Sequence, residues 1–526
     1  MVSILLHKKR NPISIPVAVT SNRTVRDKMF SVEPSLYIQM EELKLKPITK
    51  ELTIKSRASD RQCTKVTRNR INTVLALGIA LVTGAGACHA DPAHEPYTCS
   101  WQANDTIGGT ETMSLVAHQG KLYAGIGYWM DSGSYPGPHI LVLDSPTSQW
   151  RVDHTFDAKL SDGITPLYRR VAVLQEITFS FDGRGNSLKA PVSLLLAAND
   201  NTDKLKGDLS IFSRDDSSDK WTKMTLPIKG RGIRSLGLHR DPNTGAEYVF
   251  LGTCDNGFVR GCYDESKPGK ISWSSNSEPV KTDAALTARI MAFGNGEQGL
   301  FAFAKPSVYE YVDGSPGGVR PYWWLKYSYQ QPQNARSSGL RGATYIHGEL
   351  FGFLEATGYD SKILRMFPVV EELNIRRFLQ SQTGSDFMRN VGASPVDANI
   401  VGAYNNMTKV TDPVTRQDAW LVGLGFNERN YCPIKGKEYS SWFLARSAAG
   451  SWTVHDIPPL NFISPQPCPP AVRTIAVSPF AQDQQQAIYI GFYDANDHAC
   501  HNTAHIFRVG LATALRPYSA PKANSK

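Results

Sequence analysis

The chain has 526 residues and a formal charge of +9, with 41% hydrophobic, 10% aromatic and 20% charged residues. That is too apolar and too weakly charged for a disordered chain, and its glycines and prolines follow no collagen period. Nor does the charge signal nucleic acid: residues 1–70 hold 15 Lys and Arg against 6 Asp and Glu, residues 71–90 hold none of these, and the remaining body has 42 of each sign.

In chain order, residues 1–65 show no sustained periodicity and are expected to be a non-native or disordered leader. Arg68-Asn69-Arg70 then precedes the apolar run Ile71–Val82, followed by Gly84-Ala85-Gly86-Ala87 and Cys88-His89-Ala90. A basic start, a short apolar centre and a small-residue exit make a secretory signal over 66–90, with cleavage expected after Ala90. The run is too short and too glycine-rich for a comfortable membrane span. Val66 would serve as the start if a bacterial gene used an alternative start codon there. Lipid attachment at Cys88 is the minority alternative, because Ala85-Gly86-Ala87-Cys88 lacks the usual Leu three residues before the Cys. The mature protein is thus expected in the periplasm or outside the cell, with no transmembrane span.

Cys99, Cys254, Cys262, Cys432, Cys468 and Cys500 follow the signal. An even set in an exported chain reads as disulfides. Cys254 and Cys262 flank a Gly/Asp/Asn-rich loop and are expected to pair. Cys99 and Cys500 stand near opposite ends of the body and could lock it closed.

From residue 91 to 512 the chain reads as strands of four to seven residues separated by Gly, Asp, Asn, Ser and Pro clusters. A helical pattern interrupts near 366–383, around Val369–Leu379. The strands recur in one phrase. First strands start near residues 113, 170, 234, 289, 341, 399 and 473. Second strands read Leu122-Tyr123-Ala124-Gly125, Val249-Phe250-Leu251-Gly252, Leu350-Phe351-Gly352-Phe353, Leu421-Val422-Gly423-Leu424 and Ile488-Tyr489-Ile490-Gly491. Trp150, Trp221 and Trp452 mark fourth strands. A repeat of about 50–70 residues with four short strands is the signature of a β-propeller, because a single sheet buries both faces only when neighbours stack against it. The expectation is an all-β, seven-bladed β-propeller, with six or eight blades as alternatives. The last repeat lacks a fourth strand, and Tyr97-Thr98-Cys99-Ser100-Trp101 is expected to supply it and close the ring. Residues 513–526 read as a flexible tail.

The turns Ser213-Arg214-Asp215-Asp216-Ser217-Ser218-Asp219-Lys220-Trp221 and Ser447-Ala448-Ala449-Gly450-Ser451-Trp452 loosely resemble the Asp-box hairpins of sialidase-like propellers. The body as a whole resembles secreted bacterial β-propellers in architecture, without pointing to one family.

Five first strands open with arginine: Arg170, Arg234, Arg289, Arg341 and Arg473. First strands are innermost in a propeller, so these guanidiniums are expected around one mouth of the central channel. Crowded like charges need either an anionic ligand or acidic neighbours. One reading is therefore an anion site, and the other is a set of braces between blades. Loops after the second strands open on the same face and carry Trp129, Asp131, Asp200, Asp255, Glu428, Asp494 and His498, types that suit saccharide recognition and ordinary turns alike. No cofactor is expected. A metal near His498 would need His501 and Asp494 from a bent loop, since His501 and His505 stand too far apart along a strand. Gly294–Gly299 matches a dinucleotide pattern literally but lies between two strands, where no helix N-terminus can hold a pyrophosphate.

These features favour a monomeric binding protein for an anionic small molecule or acidic glycan. A glycoside hydrolase or polysaccharide lyase-like enzyme, using carboxylates such as Asp200, Asp255 or Glu428, is one alternative. A protein-interaction scaffold is another. Nucleic acid is not an expected partner.

Overall fold

The computed structural model describes residues 2–8, 11–17 and 97–516, except for 129–134, 202–206, 282–288, 306, 316–319, 330–338, 358–360, 384–398, 403–405, 428–440, 458–470, 484–485, 494–501. Residues 1–82 and 83–526 are separate compact units. In the first, Val2–Lys8 and Asn11–Val17 pair as an antiparallel hairpin.

In the second, alternating apolar runs and turn residues fold into successive antiparallel modules. The first is Glu111–His118, Lys121–Gly127, His139–Leu143 and Arg151–Thr155. The second has much longer inner strands, Tyr168–Phe181 and Ser187–Asn201, followed by Gly207–Asp215 and Lys220–Gly230. The third runs from Ile233–Arg240 through Glu247–Thr253 and Phe258–Tyr263 to Ile271–Trp273. The fourth comprises Ile290–Gly296, Gly299–Ala304, Ser307–Val312 and Tyr322–Ser328. The fifth comprises Gly339–Ile346, Glu349–Thr357, Lys362–Arg365 and Val370–Asn374. In the sixth, Asn399–Gly402 and Thr408–Thr411 both pair with Asp418–Asn427, and Ser441–Ser447 and Trp452–Ile457 follow. The seventh is Ala471–Val477, Ala487–Tyr493 and His505–Gly510. Its outer strand is Tyr97–Gln102, which pairs antiparallel with His505–Gly510.

The packing closes this series into a ring. Tyr123, Ile140 and Val142 of the first module share a core with Val171, Leu195 and Ala197 of the second. Similar shared cores join each later module to the next. A final one joins Tyr489 and Ile506 of the seventh, with Trp101, to Leu115, Ala124 and Leu141 of the first. The protein is an all-β propeller.

The recurring second-strand glycine is explained by this stacking. A Cβ at Gly252 would sit 2.6 Å from Ile290, and one at Gly423 would sit 2.5 Å from the Val472 carbonyl oxygen, each on the first strand of the following module. At the seam, a Cβ at Gly491 would meet Thr112 at 2.7 Å.

Gly294–Gly299 straddles a hairpin: Gly294–Gly296 and Gly299 are paired strand residues and the chain turns at 297–298, with no helix following. Two expectations need correction. The helix spans Ile375–Thr383, and Val370–Asn374 before it is an outer strand rather than helix. A short second helix, Leu511–Ala514, caps the final strand. Cys254 and Cys262 are both free thiols, not a disulfide. Their hairpin turns at 254–257, so Gly261 pairs with Val249, and Cys262 lies farther down the ladder from the turn. Moving away from a hairpin turn separates two residues by about 3.3 Å per position, so an eight-residue spacing does not bring them together. Cys99 is disulfide-bonded; Cys432, Cys468 and Cys500 lie outside the described residues.

Gly423→Ala should destabilise the protein by about 1–3 kcal/mol by overpacking, whereas Gly510→Ala, with open space around its Cβ position, should not. Chemical denaturation of both variants checks this.

Buried His139 and His505 are each held down to about 4 by burial, partly offset by hydrogen bonds to backbone carbonyls. Between pH about 6.5 and 4 the unfolded chain therefore takes up protons that the fold refuses, so stability should fall as pH falls through that window, by at most about 3 kcal/mol per histidine. Melting curves from pH 7 to 4 should show this drop, and His505→Gln should make it shallower.

Candidate functional site

The five arginines occupy one structural position. Arg170, Arg341 and Arg473 are each the third residue of a first strand, Arg234 is the second, and Arg289 immediately precedes Ile290. The register slips close to this point in every one of these strands, with Arg234 and Arg473 themselves in the extra position. A bulge here bends the strand and re-aims its side chains. The same end is where neighbouring modules join: Gly127 pairs with Arg170, Asp200 with Gly232, Thr357 with Asn399 and Tyr493 with Glu111.

At this end lies a chain of alternating charge. Arg170 donates from Nε and Nη2 to Asp200 Oδ2 at 2.7 and 2.5 Å. Arg234, from the next module, donates to the same oxygen at 3.1 Å. The other Asp200 oxygen lies 3.6 Å from the Cys254 thiol. Arg170 Nη1 also stands 3.6 Å from Oε1 of Glu111, and Arg473 Nη2 stands 3.6 Å from Oε2 of the same carboxylate. Arg473 further contacts Met113 Sδ at 2.8 Å and lies over the Tyr493 ring. The order Arg234–Asp200–Arg170–Glu111–Arg473 thus crosses four consecutive modules, including the seam.

Burial disfavours charge on Asp200, but Arg170, Arg234 and Arg289 together hold it well below the ordinary carboxylate range. Burial, and next Arg170, pull the Arg234 guanidinium below its usual value; it is still a cation near neutrality. Burial, then Asp200, push the Cys254 thiol up to about 12, so it is no nucleophile. Arg289 acts electrostatically on Asp200, is only partly buried, and makes no salt bridge among the described residues. Arg341 stands apart in its own module, buried against Glu355 at 2.5 Å. Asp255 accepts from the backbone N–H of Arg231 at 3.1 Å and from its Nε at 3.3 Å.

The structure therefore brings Arg170, Arg234, Arg289 and Asp200 together, with Asp255 beside Gly230 at the edge. Trp129, Asp131, Glu428, Asp494 and His498 lie outside the described residues. Among the described residues no group of three His, Cys, Asp or Glu could hold a metal ion. Sequence reasoning missed Glu111, which is fully buried at the head of the first module. The available signal was that an acid opens the repeat whose neighbours open with arginine.

No family model matches the chain. No curated protein matches it either. Among solved structures it is similar to an α-L-arabinanase from Penicillium chrysogenum, with TM-score 0.38 and 10% identity over 80% of this chain and 99% of that one. It is also similar to the α-L-arabinofuranosidase Arb93A from Fusarium graminearum, with TM-score 0.35 and 10% identity over 82% and 98%. A third is the NanB sialidase from Streptococcus pneumoniae, with TM-score 0.36 and 10% identity over 80% and 71%. Likeness at this level carries no argument about chemistry, and the fold stands on the strand pairing and shared cores above.

The two kinds of arginine should separate on mutation. Arg341→Ala removes the cation against a buried carboxylate and should cost about 3–5 kcal/mol. Arg289→Ala should cost about 0.5 kcal/mol or less. Thermal melts of both variants check the contrast, and a large loss in Arg289→Ala would make it a brace like the rest.

Proposed function

We propose that this is an exported, monomeric, seven-bladed propeller that binds a small anion or the acid group of a saccharide at the end where its first strands begin. One observation carries the reading. Two guanidiniums, Arg170 and Arg234, hydrogen-bond the single carboxylate of Asp200 while Arg289 acts on it electrostatically, and Arg289 is the one with neither full burial nor a salt bridge among the described residues. Two cations suffice to neutralise and hydrogen-bond Asp200, and the third has bidentate donors left for a ligand.

The buried arginines are the scaffold of this site. Arg170 and Arg473 brace it, and Arg289 presents charge to the ligand. A hydrolytic reading needs a carboxyl group able to give up a proton near neutral pH. Asp200 is held ionised, and both oxygens of Asp255 are engaged by Arg231. This favours binding over hydrolysis at these two acids.

Export is read from the signal over residues 66–90, with a Cys99–Cys500 disulfide at the ring closure. Among the described residues no helix is long and apolar enough to cross a membrane.

Calorimetry of the full chain against sulfate, citrate, glucuronate and uronic-acid oligosaccharides tests the function. At least one should bind, more weakly as salt rises, and Arg289→Ala should weaken it tenfold or more while leaving the melting temperature nearly unchanged. No binding to any of them would overturn the reading. Cleavage of an oligosaccharide, abolished by Asp255→Asn, would replace it with the enzyme reading.

A further inference from the structure

Glu111 has an unusual environment. Its side chain is fully buried, and neither carboxylate oxygen accepts a hydrogen bond among the described residues. Its compensation is purely electrostatic, from one guanidinium at 3.6 Å on each side, Arg170 in the second module and Arg473 in the seventh. A buried acid without hydrogen bonds is costly to keep. It is also a poor mechanical brace, because charge attraction without a directed hydrogen bond holds no particular geometry. What it supplies at this position is negative charge.

That charge is linked to the anion site through one residue. Arg170 stands between Glu111 and Asp200, and Asp200 in turn feels Arg234 and Arg289. With Glu111 ionised, part of the field of Arg170 and Arg473 is cancelled, and the potential that a ligand meets at Arg289 is lower than the number of arginines suggests.

Resting on the anion-binding reading, we infer that Glu111 sets the affinity and charge preference of the site without touching the ligand. It is a positioning residue of an electrostatic kind: it keeps the arginine cluster from gripping any passing anion, and so leaves room for contacts elsewhere on the ligand to discriminate. Neutralising it raises the local positive potential. A doubly charged anion gains more from that change than a singly charged one.

The test measures binding of sulfate and of acetate to the full chain by calorimetry, for the native protein, Glu111→Gln and Glu111→Asp. Glu111→Gln should tighten sulfate about fivefold or more, the Coulombic effect of removing one negative charge near a doubly charged anion, and should tighten acetate less. Glu111→Asp keeps the charge and should leave both affinities near native even if the melting temperature falls. Equal or weaker sulfate binding in Glu111→Gln, or the same change in both variants, would make Glu111 a structural acid only and overturn the inference. If Glu111→Gln does not fold, Arg473→Gln serves instead, and it should weaken sulfate more than acetate; no weakening overturns the inference. Failure of the native protein to bind sulfate, acetate or any other anion offered would instead remove the anion-binding reading beneath it.

Discussion

At four of its junctions, the seam included, this propeller ties one module to the next at one spot, where the end of a second strand pairs with the start of the following first strand. That junction dictates much else. It needs a close backbone approach, so glycine recurs on the second strands. It needs the first strand to bend as it leaves the junction, so the register slips there. It concentrates backbone and side chains from adjacent modules, so a charged residue placed there can reach partners in its own module and in the next, as Asp200 does with Arg170 and Arg234.

Arginine and carboxylate meet that demand in a way that also leaves chemistry behind. Asp200 is shared by two modules through hydrogen bonds and reaches a third electrostatically. Glu111 joins the first module to the last. The buried arginines and the less buried Arg289 are thus parts of one network of charge, and they differ in burial and in whether a carboxylate forms an ion pair with them among the described residues. A second set of arginines works away from this end. Arg214 reaches Asp153 of the preceding module at 3.1 Å and lies over Tyr123. Arg446 reaches Glu372 of its own preceding module at 3.2 Å and lies over Phe351. Each sits opposite a fourth-strand tryptophan, Trp221 or Trp452. The turns with an Asp-box flavour therefore mark where a third-strand arginine clamps backward onto the module before it.

The fold was legible in the sequence because its signals are local and repeated. Strand rhythm, second-strand glycines and the orphan Tyr97–Trp101 segment all report short-range geometry or a missing partner. The arginine phase was legible for the same reason. Their partners were not, because Arg170 meets Glu111 only when the first two modules stack, and Arg473 meets it only when the ring closes. The Cys254–Cys262 expectation failed on register: spacing in sequence says how long a hairpin is, whereas pairing depends on where it turns. The helix boundary was misjudged because Val370–Asn374 has an apolar pattern that suits either state, and pairing with Lys362–Arg365 decides for strand.

The closing strand has a mechanical consequence. Tyr97 stands opposite Val509, and Gln102 opposite His505, so the chain enters and leaves that sheet at the same end. A pull on the two termini would load the ladder one rung at a time, as a peel rather than a shear. The ring is consequently strong against expansion from within, where every rung of the ladder shares the load, and weakest against traction on its own ends. A covalent tie at Cys99, two residues in from the start of the strand, sits where such a peel would begin.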